Sequence, residues 1–277
     1  MRARAELVVD RSGAGQSMRY DSAPPVVLRR TGPDRVHLIQ AAGGPLGGDD
    51  LELGIRLGAN TRLTVHAAGA TVAQAGRSGS GPARWCVRAH LEPGARLCWW
   101  PEPTVVCDGA DLVSVMDLKV AEGASALVRE EVLLGRYGQS GGRYRGELRV
   151  DHGGTALVRH ALVLDGADRV LSGVGGTGGH KMVTTVLGVG SEPAPVGPAP
   201  GERDGMSWAC HDLAGPGWMV VAVSSGPTQQ APLRFDPSGS DREQPAQPGP
   251  PGGSGLDGDP GVRGEPVEAV EATGPHV

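Results

Sequence analysis

A mainly β fold, an extended β-sandwich or β-helix-like body followed by a disordered tail, is predicted by three features of the sequence. Apolar and polar residues alternate in many short stretches, the two-residue period of half-buried strands. Gly (46) and Pro (23) make up a quarter of the 277 residues, and these are the two poorest helix formers. A unit of strand, Gly-Ala turn and strand recurs three times, and stacked units of that kind bury a core together that none buries alone.

Taken in chain order, Leu57-Gly-Ala59 leads to Leu63, Leu91-Glu-Pro-Gly-Ala95 to Leu97, and Val120-Ala-Glu-Gly-Ala124 to Leu127. Glycine supplies the positive φ that such turns need. Between them Trp85, Val87, Ala89 and Leu91 point one way and Cys86, Arg88 and His90 the other; Arg145, Glu147, Arg149 and Asp151 alternate with Gly146, Leu148 and Val150. Gly173-Val-Gly-Gly-Thr-Gly178 fits the G-x-G-x-x-G pattern, but the β-branched run His180–Val189 follows it. A pyrophosphate needs a helix N-terminus there, so this segment reads as a loop or wide turn. Ser191–Asp204 is a Pro-rich, stiff connector, and Met206–Cys210 and Trp218–Ser224 supply the last ordered elements.

Charge divides the chain at residue 235. Residues 236–277 hold 8 acidic and 2 basic residues, a net -6, which leaves +1 of the total -5 for residues 1–235. The tail lacks hydrophobic periodicity and cannot offset the entropy of ordering itself. The expected division is therefore a β-rich domain over 1–235 and a disordered Gly/Pro-rich acidic tail over 236–277. Its glycines at every third position from Gly249 to Gly264 are too few for a collagen-like helix. The near-neutral body has no basic stripe, which sets nucleic-acid binding aside. The longest apolar run, Trp218–Val223, is far short of the roughly 20 residues of a membrane span. The first ten residues lack the apolar core of a secretory signal, so a cytoplasmic protein is expected.

Catalytic chemistry finds no foothold. Cys86, Cys98, Cys107 and Cys210 show no C-x-x-C spacing, and the eight histidines are scattered, with neither HExxH nor H-x-H. Asp49-Asp50 and Glu130-Glu131 are paired carboxylates, but neighbours on a strand face opposite sides. One member of each pair is free to face an interior passage.

Three stretches resemble the urease accessory protein family UreD, also called UreH. Gly47-Gly-Asp-Asp-Leu-Glu-Leu53, with Leu63-Thr-Val-His-Ala-Ala68, is similar to that family's Gly-Gly-Asp segment and following strand. Leu97-Cys-Trp-Trp-Pro-Glu-Pro-Thr-Val-Val-Cys-Asp-Gly-Ala110 resembles its most distinctive run, and Arg129-Glu-Glu-Val-Leu-Leu-Gly-Arg136 its Glu followed by Leu-Gly-Arg. The resemblance implies a mostly β fold with two short helices towards the C-terminal part. It also implies a non-enzymatic chaperone of nickel urease maturation, with the urease apoprotein, UreF and UreG as partners. No cofactor is held tightly on this reading; nickel passes in transit. The alternative is a β-rich interaction module without a role in metal transfer.

A conveyor must release its cargo. A micromolar site binds with about 8 kcal/mol and a nanomolar one with about 12, and thiolate and imidazole clusters hold first-row metals tightly. Sparse carboxylates suit transit better. Asp49 and Glu130 fall on matching family positions and are the expected transit ligands, followed by Asp108. Trp99, Trp100, Pro101, Glu102 and Pro103 read either as core plus turn or as a partner interface: two adjacent tryptophans cannot both enter one core from a regular strand, so one of them is free to lie on a partner-facing surface. Chain ends in this family are usually helical, so the acidic tail is expected to be dispensable for complex formation.

Overall fold

Alternation of buried and exposed residues resolves into eighteen strands in a computed structural model that describes residues 1–173, 175–192, 200–203 and 205–226. They are β1 (Arg2–Ser12), β2 (Gly15–Asp21), β3 (Val26–Arg30), β4 (Arg35–Gln40), β5 (Asp50–Leu57), β6 (Arg62–Ala67), β7 (Thr71–Ala73), β8 (Ala83–Leu91) and β9 (Arg96–Trp100). There follow β10 (Thr104–Val106), β11 (Asp111–Val120), β12 (Ser125–Leu134), β13 (Arg143–His152), β14 (Thr155–Asp165), β15 (Met182–Val189), β16 (Gly201–Arg203), β17 (Met206–Asp212) and β18 (Gly217–Ser224). Among the described residues there is no helix; the two short C-terminal helices implied by the family resemblance are not among them, and strands β15 to β18 occupy that part of the chain. The proposed tail, and most of the Pro-rich connector, lie outside the described residues.

The strands form two sheets. One runs β14-β13-β11-β8-β5-β1-β2 and the other β16-β17-β18-β15-β12-β9-β6-β4-β3. Their centres are parallel: β1, β5, β8, β11 and β13 in the first sheet, β4, β6, β9 and β12 in the second. From β5 to β13 the chain alternates between the sheets, the β-helix-like winding that the recurring turn units predict.

The turns carry that winding. Positive φ falls on Gly94 (74°), Gly123 (73°) and Asn60 (56°). In the first unit the left-handed position is thus Asn60 rather than Gly58, since Asn tolerates that conformation better than other residues with a side chain. Gly94 N–H donates to the Gly123 carbonyl at 3.2 Å, and Asn60 N–H to that of Pro93 at 3.0 Å, so successive turns stack.

Inward side chains stack in register. Leu53, Val87, Met116 and Leu148 form one row across β5, β8, β11 and β13. Val65, Trp99, Val128 and Leu187 face them across β6, β9, β12 and β15. All eight are at most 2% exposed. A second, smaller apolar cluster lies along the same interior around Leu112, Tyr144, Leu164, Val132 and Val183.

Candidate functional site

A polar layer separates the two apolar clusters. In the first sheet Ser114 pairs with Gly146, and in the second Glu130 pairs with Thr185. Strand alternation places these residues between the Met116/Leu148 row and the Leu112/Tyr144 row, so the chain itself interrupts its core.

Glu130 is the centre of that layer. It lines a cavity of about 30 Å³, room for about two waters. It also lines a second cavity of about 10 Å³ with Tyr144, Gly146, His160 and Thr185. The residue is half-buried, and burial away from bulk water pushes its carboxyl up to about 7 from an ordinary value near 4.5. The carboxyl therefore titrates near neutrality, and a cation arriving there displaces a proton. Tyr144 is hydrogen-bonded to Ser114, while desolvation raises its own pKa. Its ring fits because residue 146 is glycine: a Cβ at that position would lie 2.7 Å from the Tyr144 ring and hydroxyl.

His160 was not singled out by its sequence context. It sits on β14, and only the β13/β14 pairing turns it into the smaller cavity. Burial lowers its pKa, and its Nε2 is buried without a hydrogen-bond partner among the described residues. A neutral imidazole with a free ring nitrogen thus shares a cavity with Glu130.

The larger cavity extends from Glu130 to Glu102, which is exposed in the segment between β9 and β10. Two contacts fix that segment: Pro103 carbonyl accepts from Thr71 N–H at 3.0 Å, and Pro101 carbonyl accepts from Arg129 Nη2 at 2.8 Å. The Arg129 guanidinium lies 4.6 Å from the Trp100 ring centroid and pairs with Glu131 at 3.4 Å. Glu130 and Glu131 split between the faces of β12 as expected, with Glu131 on the outer side beside Thr184.

The other expected residues lie elsewhere. Asp49, 8% exposed, accepts from the Met1 ammonium at 2.7 Å and from Leu46 N–H at 2.9 Å. Asp108 is exposed in the turn before β11 and accepts from Gly141 N–H at 2.7 Å. Neither lines the cavities at Glu130, and no group of three or more His, Cys, Asp or Glu able to hold a metal occurs among the described residues. Trp99 turns into the core at 2% exposure. Trp100 occupies the outer face. The four cysteines are free, and in the G-x-G-x-x-G segment the described residues 175–178 form a turn, with strand β15 following.

Comparison with known proteins places this geometry in a family. The profile of the UreD urease accessory protein matches residues 1–228. The urease accessory protein UreD of Frankia alni is 37% identical over 264 residues, covering 81% of this chain and 88% of that protein. That of a Parafrankia species is 38% identical over 249 residues, covering 81% and 83%. That of Streptomyces coelicolor is 35% identical over 232 residues, covering 81% and 90%. With a match across every described strand, the chain belongs to the UreD urease accessory protein family.

Proposed function

We propose that this chain is a cytoplasmic chaperone of urease maturation that binds the urease apoprotein together with UreF and UreG and passes nickel towards the urease active site. Family membership supports a role in urease maturation, an accessory role rather than catalysis. No helix among the described residues is long and apolar enough to cross a membrane.

The observation that carries the metal step is Glu130. A carboxylate with no ion partner among the described residues is costly to keep in a β core, and here it borders two cavities, one of which reaches the exposed Glu102. In the proposed route a nickel ion meets Glu102, then Glu130, then the cavity shared with His160 and Thr185. Water and single carboxylate oxygens hold it loosely enough to leave. Asp49 and Asp108 are proposed as oxygens met outside these cavities. Trp100, Pro101, Glu102 and Pro103 are proposed as the partner-facing surface, backed by Trp99 from the core.

Co-expression with urease subunits, UreF, UreG and nickel tests the reading. Active urease that depends on this chain is the expected result. A chain that binds the apoprotein but leaves it nickel-free would reduce the protein to an interaction module.

A further inference from the structure

On the outer face of the larger sheet two histidines meet. His37 on β4 and His66 on β6 are directly opposed in the parallel register. Their ring centroids are 5.5 Å apart and their planes inclined by 33°. Both are half-buried.

Their hydrogen bonds aim them. In the order β9-β6-β4-β3, His66 Nδ1 bonds the Trp100 carbonyl of β9 at 3.3 Å, and His37 Nδ1 bonds Thr31 Oγ1, just beyond β3, at 2.8 Å. Each Nδ1 is thereby drawn outward, away from the other ring, which leaves the two Nε2 atoms on the inner, facing sides. Because a carbonyl only accepts, His66 Nδ1 carries the proton and its Nε2 presents a lone pair. A backbone carbonyl or hydroxyl on the second nitrogen is the usual support of a metal-binding imidazole.

The spacing also fits. A metal about 2.1 Å from each Nε2 lies about 3.2 Å from each ring centroid, so rings about 90–110° apart at the metal have centroids about 4.5–5.3 Å apart. The observed 5.5 Å needs only a small side-chain rotation.

We infer that His37 and His66 form a two-imidazole site for a late first-row divalent cation, of the Ni²⁺, Cu²⁺ or Zn²⁺ class, completed by water. Imidazole suits these ions, whereas Mg²⁺ and Ca²⁺ prefer oxygen. No third His, Cys, Asp or Glu joins the pair among the described residues, and Arg29 stands opposite His37 on β3. Binding is consequently weak and exchangeable. The inference is independent of the route at Glu130, which opens on the inner face of the same sheet.

The test is titration of the purified chain, free of any polyhistidine tag, with Ni²⁺ by calorimetry and with Cu²⁺ by electron paramagnetic resonance. Wild type is expected to bind an equivalent of Ni²⁺ whose affinity falls at least about tenfold in both His37→Ala and His66→Gln. The nitrogen splitting of the Cu²⁺ spectrum is expected to weaken in both, and His90→Ala to match wild type. The Gln amide at 66 can still donate to the Trp100 carbonyl, and thermal unfolding confirms that each variant folds. Should His66→Gln unfold, His37→Ala decides alone, because it removes one hydroxyl contact at the sheet margin. Unchanged Ni²⁺ affinity and Cu²⁺ spectrum in a folded His37→Ala chain would overturn the inference.

Discussion

Replacement of Glu130 by Leu is expected to lower the nickel content of co-expressed urease at least about tenfold while the complex with the apoprotein still assembles. Leu fills the space of the carboxyl without supplying an oxygen, so the route between Glu102 and the His160 cavity loses its only interior carboxylate among the described residues that line both cavities. Glu130→Gln removes the charge but keeps the shape, and separates transit from folding. The folded pKa of Glu130, about 7, is above its unfolded value. The native state therefore keeps a proton that the unfolded chain has released. Stability contributed by this group is present below about pH 4.5 and lost as pH rises through about 7, a loss on the order of 3 kcal/mol. Relative to Glu130→Gln, wild type should become less stable across that window in urea unfolding. A difference between the two proteins that stays flat with pH would show that the carboxyl is solvated rather than buried.

The second large effect belongs to Trp99. Truncation to Ala empties the row between Val65 and Val128 and is expected to cost about 3–5 kcal/mol, a large share of the 5–15 kcal/mol that typically holds a domain folded. Trp100→Ala removes a cation–π contact with Arg129 worth about 0.5–2 kcal/mol, and its stability should fall correspondingly less. Chemical denaturation of both variants checks this. Equal losses would contradict the opposite placement of the two rings.

The strand pattern was legible because half-buried strands repeat every two residues. The phase at Val87, Ala89 and Leu91 against Cys86, Arg88 and His90 could be read directly, as could the splitting of Glu130 from Glu131. What escaped depends on pairing between distant strands. His37 and His66 look scattered in the chain, and only the parallel register of β4 with β6 opposes them. His160 meets Glu130's cavity through β14 folding back on β13, and Gly146 matters only because the Tyr144 ring lies against it. The turn residue Asn60 was missed for a different reason: a left-handed backbone position draws glycine most often, and Gly58 stood two residues away.

Asp49, the other residue on a matching family position, sits in a different setting: one of its oxygens accepts from the Met1 ammonium and the other from Leu46 N–H. A cation binding there would have to displace contacts that shape the loop before β5. Among the described residues Glu130 has no such competitor.

Nickel itself is the most direct probe. Crystals of the chain with its urease partners, soaked in Ni²⁺ and measured at the nickel absorption edge, are expected to show anomalous density about 2.0–2.2 Å from a Glu130 carboxylate oxygen. Density confined to other sites, with none between Glu102 and Glu130 in a complex that loads urease, would contradict the interior route.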